Sequence, residues 1–429
     1  MIITTGFIAL FALLLLRVPI GFALGLIGTL GFGWIVGMAP ALKSVGSVAS
    51  DTVMNYDFAV IPLFILMGNL VTRSGISDDL YETSYRWFGG MRGGLALATI
   101  VSCGGFSAVC GSSLATAATM SRVAVPPMRT YKYADSLAAG SVAAGGTLGI
   151  LIPPSIALVL YGIMTQSDIG ALFAAGVLPG LLGIALYMVA VSVWVRINPK
   201  IGPAGKPSSF VEKLLSLRRV IGILALFVLV MGGLYAGFFT PTEAAGIGSA
   251  GALFIALLRR RLTVRNLLDT LFDAARTSVA LLTILIGALL FANFVNVARL
   301  PQDLGAWITS MDLAPMTVIF AIVGIYIVLG CFLESMSMML LTVPIFYPIV
   351  SALGFDLIWF GIIVIVVIEI SMITPPVGMN IFVLRSVLPD IPTVTIFRGV
   401  LPFVAADIVR VGILIAFPII SLWLPYLMG

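Results

Sequence analysis

Histidine is absent from the 429-residue sequence, and charged residues make up only 10% of it. Ordinary soluble domains contain about 25% charged residues, so this composition excludes a water-soluble protein held by one anchor. Without histidine, a histidine proton relay and the common histidine metal and haem sites are excluded. The three cysteines lack CxxC spacing, which argues against a disulfide framework or a zinc site: Cys103, Cys110 and Cys331.

Several functional classes lack the motifs that they require. No G-x-x-x-x-G-K-[ST] loop occurs, so we expect no use of ATP. An intramembrane enzyme would need clustered carboxylates or histidines at the bilayer surface, and the sequence offers neither. The net charge of +5 suits the positive-inside rule for a polytopic membrane protein and requires no nucleic-acid partner. We therefore expect no enzyme and no cofactor.

Hydrophobic residues make up 60% of the chain, and their long runs predict membrane spans. A spanning helix needs about 20 apolar residues, and we expect about 11 spans in total. The first apolar stretch lacks a charged n-region and a cleavage site, so we expect a retained span and not a signal peptide. We place spans at residues 2–37, as one segment or a broken pair, and at 58–72, 93–103, 134–145, 156–165, 170–195, 219–238 and 242–258.

Basic residues mark one side of the membrane. The polar linker 196–219 and the cluster Arg259 to Arg261 are separated by two predicted crossings, so both lie on the same side. Because cytoplasmic loops are rich in lysine and arginine, we expect that side to be cytoplasmic. Three amphipathic stretches, 76–90, 262–274 and 300–312, are too polar to span, and we expect interfacial helices there, with periodic loops as the alternative.

Two proline pairs interrupt apolar segments at corresponding places in the two halves of the chain. Pro153-Pro154 and Pro375-Pro376 lie 222 residues apart. Each pair follows a stretch rich in small and hydroxyl residues, at 104–126 and 330–350, which we interpret as a hairpin that enters and leaves on one side. A proline pair ends a helix and frees carbonyl groups, so paired interruptions at membrane depth indicate a transporter binding site. They favour alternating access over a channel, and a simple proline kink is the alternative.

Neutral oxygen atoms dominate the polar groups near these interruptions. Hydroxyl groups and freed carbonyls suit sodium, while the N-termini of half-helices attract an anion. For any single serine, helix packing is the alternative. Glu334 and Glu369 lie beside the proposed site, with proton coupling or structural anchoring as their alternative roles. We expect an internal ion pair between Asp407 and Arg410, and a helix N-terminal carboxylate at Glu243.

Six strings in this chain resemble the large membrane subunit of the tripartite ATP-independent periplasmic (TRAP) transporters. They lie between Arg17 and Val383 and so cover essentially the whole chain: RVPIGFALG, IPLFILMGNLVTRSGI, GFSAVCGSSLATAATMSRVAVPPM, AAGGTLGILIPPSIALVLYG, GFFTPTEAAGIG and TPPVGMNIFV. The resemblance implies an all-α polytopic membrane protein with two inverted repeats. Each repeat is expected to contain a re-entrant helical hairpin and a broken helix, as in elevator-type members of the ion transporter superfamily.

The resemblance also implies a scaffold and a moving transport part. Residues 1–92 are expected to form scaffold helices and an interfacial arm, and residues 93–168 the transport part with the first hairpin and broken helix. Residues 169–300 are expected to add scaffold helices, the linker and a second arm. Residues 301–390 are expected to contain the second hairpin and broken helix, and 391–429 the C-terminal helices.

Family site positions transfer onto this sequence as expected ligands. The first sodium site is expected between the first hairpin and the following loop, at Ser107, Gly111, Ser112, Ser113, Gly149, Ile150 and Pro153. The second is expected between the second hairpin and its loop, with Thr374 as the side-chain ligand, at Gly330, Ser335, Ser371, Thr374 and Val377. Substrate contacts are expected from Ser112, Ser155, Asn380 and Arg385.

The resemblance implies sodium-driven import of a small organic anion, a carboxylate or sugar acid, across the bacterial inner membrane. Expected partners are a small four-span membrane subunit, a periplasmic substrate-binding protein and the membrane lipid. The alternative is a stand-alone organic-anion transporter, coupled to sodium or protons, that works without a binding protein.

Overall fold

The computed structural model describes residues 2–330 and 332–428, so Met1, Cys331 and Gly429 lie outside the described residues. Within these ranges the regular elements are all helical, and helix accounts for 82% of the chain. Seven of the described helices are long and apolar enough to cross a membrane, and seven shorter apolar helices accompany them. This confirms the predicted all-α membrane fold, while the estimate of about 11 spans stays a prediction.

Among the described residues, the first half of the chain forms ten α-helices. They are α1 Ile2–Leu15, α2 Ile20–Val36, α3 Met38–Met54, α4 Val60–Arg73, α5 Ile76–Phe88, α6 Gly94–Cys110, α7 Ser113–Thr130, α8 Asp135–Thr147, α9 Ile156–Thr165 and α10 Ile169–Ile197. Residues 148–155 separate α8 from α9 and contain the first proline pair. At the start of the chain, the apolar stretch 2–37 forms two helices, α1 and α2, so it is the broken pair that was one of the two alternatives.

Eleven α-helices follow in the part of the second half that the structure describes. They are α11 Phe210–Phe227, α12 Gly233–Tyr235, α13 Pro241–Leu258, α14 Val264–Val297, α15 Leu300–Ser310, α16 Pro315–Gly330, α17 Ser335–Ala352, α18 Leu357–Ser371, α19 Met379–Val387, α20 Thr393–Ala416 and α21 Ile419–Met428. A π-helical turn, Val228–Gly232, joins α11 to α12, so this segment is continuous from Phe210 to Tyr235. Residues 372–378 interrupt α18 and α19 around the second proline pair.

Three boundary predictions are wrong. The helix predicted at 93–103 does not end at residue 103, because α6 continues to Cys110 and is followed closely by α7. The amphipathic stretch 262–274 is not a separate helix, because it forms the first turns of α14. The linker is shorter than 196–219, since Ser209 and Glu212 form a capping box that starts α11 at Phe210. The other two amphipathic stretches form α5 and α15, as predicted.

The predicted two-fold repeat is visible in the helix boundaries. Helix α7 begins at Ser113 and α17 at Ser335, which is the same spacing of 222 residues that separates the two proline pairs. Helices α8 and α18 follow these at Asp135 and Leu357, again 222 residues apart. Both proline–proline peptide bonds are cis. Each half therefore contains a helical hairpin followed by a broken helix.

The helices pack into two groups. In the first group α2 lies along α14, and α4 packs on α13 and α14. In the second group α8 packs on α6, α7 and α20, while α10 packs on α20, α21 and α18. Helix α19 contacts α7 and α8, which brings the second broken helix against the first hairpin. Helix α4 of the first group also contacts α6 of the second, and so links the groups.

Glycine permits the close crossing of α8 and α20. A Cβ atom at position 140 would lie 2.3 Å from the Gly399 carbonyl oxygen, and this backbone atom cannot rotate away. We expect Gly140→Ala to lower the free energy of unfolding by about 1–3 kcal/mol, because the helices must separate. Thermal unfolding of the purified protein measures the effect. Gly412→Ala on α20, with nothing within 4 Å, is the matched control, and equal stability of the two variants would contradict the prediction.

Candidate functional site

The tip of the first hairpin lies directly against the first broken segment. Gly111 ends α6 with a φ of +62°, and a Cβ atom there would lie 2.8 Å from the Pro154 carbonyl oxygen. A Cβ atom at Gly149 would lie 3.0 Å from the carbonyl of Ser112. The Ser107 hydroxyl, in the last turn of α6, is buried with no hydrogen-bond partner. The structure thus brings together the two chain segments of the first predicted sodium site.

The second hairpin meets the second broken segment in the same way. A Cβ atom at Gly330 would lie 2.2 Å from the Ser371 Cβ atom, so the backbones of α16 and α18 almost touch. The Thr374 hydroxyl donates to the Ser371 carbonyl over 3.4 Å, inside the broken segment. Val377 lies in the same segment, and Ser335 begins α17. The roles of these residues as sodium ligands remain predictions.

Asn380 joins the two halves of the site. The Ser113 hydroxyl, at the first hairpin tip, donates to the Asn380 side-chain oxygen over 2.9 Å. The Asn380 side-chain nitrogen donates to the Ala143 carbonyl in α8 over 3.0 Å. Asn380 is completely buried, and both ends of its amide are hydrogen-bonded within the protein in this conformation.

Three helix N-termini meet at this point. Ser112 caps α7, Ser155 caps α9, and Asn380 is the second residue of α19. Free N–H groups and the helix dipole make such ends attractive to an anion. The C-terminal ends of α6 and α8 lie beside them at Cys110 and Thr147 and present carbonyl groups. The arrangement can hold an anion and a cation next to each other.

The remaining predicted substrate residues are engaged inside the protein. Ser155 donates to the Ile150 carbonyl and accepts a hydrogen bond from the Leu158 N–H over 3.2 Å. Arg385 donates to the carbonyl oxygens of Pro389 and Ile391, and so holds the turn between α19 and α20. Ser112 and Arg385 are half-buried, whereas Ser155 and Asn380 are fully buried.

A cation outside the spans ties the first hairpin to that same turn. Arg129, near the end of α7, pairs with Asp135 at 3.0 Å and also with Asp390. The hydrogen bond from Arg129 holds the pKa of Asp390 below its usual range. Both ends of α7 are therefore linked to the second repeat. Ser113 bonds to Asn380 in α19 at one end, and Arg129 pairs with Asp390 after α19 at the other.

Glu334 is the N-cap residue of α17, at the position that Ser112 occupies in the first repeat. Its carboxylate accepts hydrogen bonds from the Ser337 N–H at 3.0 Å and from the Ser335 hydroxyl at 2.9 Å. A carboxylate at a helix N-terminus is stabilised by the dipole. These contacts favour the anchoring role among the two alternatives for Glu334. Glu243 forms a capping box with Thr240 at the start of α13, as the sequence predicts.

The Glu369 carboxylate contacts Arg410 in α20. Both side chains are 0% exposed, and Arg410 also lies 3.2 Å from Asp407, which confirms the predicted ion pair. The Tyr187 hydroxyl donates to Asp407 over 2.6 Å, and Thr147 lies 3.3 Å from the Tyr187 oxygen. Neither the role of Tyr187 nor the contact between Glu369 and Arg410 was predicted from the sequence. A lone carboxylate in the apolar run of α18 was the available signal, because it requires a cation partner.

The two broken segments differ in exposure. Every residue from 148 to 155 is buried, whereas Pro375 and Pro376 are exposed. At the hairpin tips, Gly111 is buried while Phe332, beside the second tip, is 73% exposed. The site is closed at the first hairpin and open at the second.

Comparison with known proteins decides the family. The family model described as "Tripartite ATP-independent periplasmic transporter, DctM component" matches residues 7–420. The chain belongs to this DctM family. The match extends over nearly the whole chain and confirms the resemblance found in the sequence. The related proteins are transporter permeases of the inner membrane, so this DctM-family chain is an inner-membrane transporter permease and not an enzyme.

Curated relatives of this DctM-family chain differ in the compounds that their names specify. It is 36% identical to the C4-dicarboxylate TRAP transporter large permease protein DctM of Pseudomonas aeruginosa, over 91% of each chain. It is 34% identical to the sialic acid TRAP transporter large permease protein SiaM of Vibrio cholerae, over 87% of each chain. It is 30% identical to the ectoine/5-hydroxyectoine TRAP transporter large permease protein UehC of Ruegeria pomeroyi, over 98% of each chain.

A solved structure shares the fold of this DctM-family chain. The YdaH transporter of Alcanivorax borkumensis aligns with a TM-score of 0.64 over 92% of this chain and 90% of that one. The sequence identity is 14%, so this likeness concerns the fold alone.

Proposed function

We propose that this protein imports a small organic anion, a carboxylate or sugar acid, across the bacterial inner membrane by using a sodium gradient. The observation that carries the proposal is the meeting of three helix N-termini with the C-terminal ends of α6 and α8 at the first hairpin tip. Half-helix N-termini attract anions, and freed carbonyls at half-helix C-termini coordinate sodium. The transported anion and the coupling ion then bind side by side.

The substrate class follows from the same helix ends. C4-dicarboxylates, sialic acid and ectoine, which the relatives' names specify, all contain a carboxylate group. A carboxylate oxygen accepts hydrogen bonds from the free N–H groups of a helix N-terminus. Ser112 is half-buried at the α7 N-terminus and is the proposed contact.

Sodium binding is proposed at the two contacts between hairpin and broken segment. Both offer hydroxyl and carbonyl oxygens, from Ser107, Gly111 and Gly149 in the first repeat and from Ser371 and Thr374 in the second. Each broken segment follows the C-terminus of a helix, α8 in the first repeat and α18 in the second. The negative end of the helix dipole favours a cation at both places. The remaining predicted ligands lie within or beside these segments.

Transport is proposed to follow an elevator mechanism. The predicted moving parts, 93–168 and 301–390, include both hairpins and both broken helices. Helices α10 and α20 pack on α8 and α18, so we propose that they move with the site. The closed first segment and the open second segment correspond to access from one side only. Import would also require the other components of a tripartite system, proposed to be a small four-span subunit and a periplasmic binding protein.

Radiolabelled uptake into proteoliposomes tests the proposal. The chain is reconstituted with the small membrane subunit and the binding protein encoded beside it, and succinate, sialic acid and ectoine are supplied in turn. We expect uptake of one compound with an inward sodium gradient, and loss of at least about 90% of it when potassium or choline replaces sodium, since the coupling ion supplies the driving force.

Other outcomes would replace parts of the proposal. Uptake that follows a proton gradient and ignores sodium would contradict sodium coupling. Full uptake without the binding protein would favour the stand-alone transporter. Rapid unitary currents would contradict alternating access and indicate a channel.

A further inference from the structure

A network of five buried polar side chains connects the two broken helices. It runs from Thr147 at the end of α8 through Tyr187 in α10 to Asp407 and Arg410 in α20, and ends at Glu369 in α18. All five residues are 0% exposed. None of the five is a predicted sodium ligand or a predicted substrate contact in the site described above. For Glu369 alone, proton coupling and structural anchoring were the alternative roles.

The two residues at the ends of this network occupy the same position in the two repeats. Thr147 and Glu369 are 222 residues apart, which is the spacing of the proline pairs and of the hairpin helices. Each lies two residues before a predicted sodium ligand, Gly149 in the first repeat and Ser371 in the second. A movement of either broken segment therefore displaces the residue at one end of the network.

The contacts of this side-chain network share atoms, so they are not independent of one another. One Arg410 nitrogen, Nη2, contacts both carboxylates, and the Tyr187 hydroxyl, the donor to Asp407, lies 3.3 Å from Thr147. The other terminal nitrogen packs on Gly183 of α10, where a Cβ atom would lie only 2.0 Å from it. Contacts within a buried polar network are coupled, because a group that loses its partner there pays its desolvation cost.

We propose that Tyr187, Asp407 and Arg410 are positioning residues that couple the two sodium contacts. The inference rests on the proposed sodium dependence and deepens it. When sodium orders one broken segment, the network holds the other segment in its binding geometry, so the second ion binds more tightly than the first. Such a coupling between sites has a typical size of about 5- to 150-fold in affinity.

Binding of ²²Na⁺ to the purified full chain in lipid nanodiscs tests the coupling. Tyr187→Phe removes the hydroxyl that donates to Asp407 and lies 3.3 Å from the Thr147 oxygen, and it leaves the ring in place. The control is Tyr161→Phe, which removes another buried hydroxyl that also joins the halves, through a 2.6 Å hydrogen bond to the Leu357 carbonyl at the far end of α18. We expect a Hill coefficient above 1 for the wild type and for Tyr161→Phe. For Tyr187→Phe we expect about 1, with half-saturation at a sodium concentration about 5-fold higher.

The outcomes separate this inference from the proposed function. Cooperative binding that Tyr187→Phe leaves unchanged, or that Tyr161→Phe abolishes equally, would overturn the role of the network. Non-cooperative sodium binding by the wild type would overturn the coupling and leave sodium-driven uptake standing. If the wild type binds no ²²Na⁺ at all, the proposed sodium dependence fails, and the inference fails with it.

Discussion

Replacing Arg410 by Met is expected to lower the free energy of unfolding by about 3–5 kcal/mol, the largest effect on stability that we predict. Glu369 and Asp407 would then be two buried carboxylates without a cation, since Arg410 is the basic group that contacts both. A buried charge that loses its partner pays its desolvation cost without compensation. Thermal unfolding in detergent, followed by the loss of monodisperse protein, measures the change.

Two further variants identify charge as the cause. Arg398→Met removes a cation from an exposed position on the same helix, and we expect it to unfold at the wild-type temperature. Combining Arg410→Met with Glu369→Gln and Asp407→Asn removes all three charges, and we expect most of the stability to return. If the triple variant is as unstable as Arg410→Met alone, packing of the arginine side chain is responsible and the charge argument is wrong.

Gly330→Ala is expected to reduce sodium-dependent uptake by at least about 10-fold, which corresponds to about 1.4 kcal/mol. The added methyl group would lie 2.2 Å from the Ser371 Cβ atom and 2.6 Å from its hydroxyl. A Cβ atom is fixed by the backbone, so the second hairpin tip has to move away from the broken segment. Separating these two segments pulls apart the predicted ligands of the second sodium site and raises the sodium concentration needed for half-maximal uptake.

The same helix provides the control for this prediction. Gly324 also lies in α16, and a Cβ atom there would meet nothing within 4 Å. Gly324→Ala is therefore expected to transport at the wild-type rate with the wild-type sodium dependence. Normal sodium dependence in Gly330→Ala would show that the close contact with Ser371 has no part in ion binding, and would remove the second predicted sodium site.

The site could be located from the sequence because its backbone chemistry is local. Pro153-Pro154 and Pro375-Pro376 each interrupt an apolar segment, and the breaks after α8 and α18 were predicted from these pairs. Pro126-Pro127, by contrast, lie inside α7 and do not end it. The glycine and serine residues before each break correctly indicated two hairpins. The boundaries of these hairpins were less well predicted, because the apolar residues 93–103 are compatible with a span and with one arm of a hairpin.

The partners of the buried side chains could not be predicted in this way. Asp407 and Arg410 stand one helical turn apart, so their ion pair follows from helix geometry. Arg410 and Glu369 are 41 residues apart, and Ser113 and Asn380 are 267 apart, so no local rule pairs them. Arg385 was expected at the substrate, but the turn after α19 offers it two carbonyl oxygens.

The sequence by itself determined that the protein lies in a membrane, that it is helical, that it contains a two-fold repeat, and where the helices are broken. Each of these depends on hydrophobicity or on the backbone chemistry of neighbouring residues. Only the tertiary structure decided that three helix N-termini meet at the first hairpin tip, and that one arginine serves two carboxylates between the repeats. Those contacts depend on how helices from distant parts of the chain are placed, which packing of the whole molecule sets.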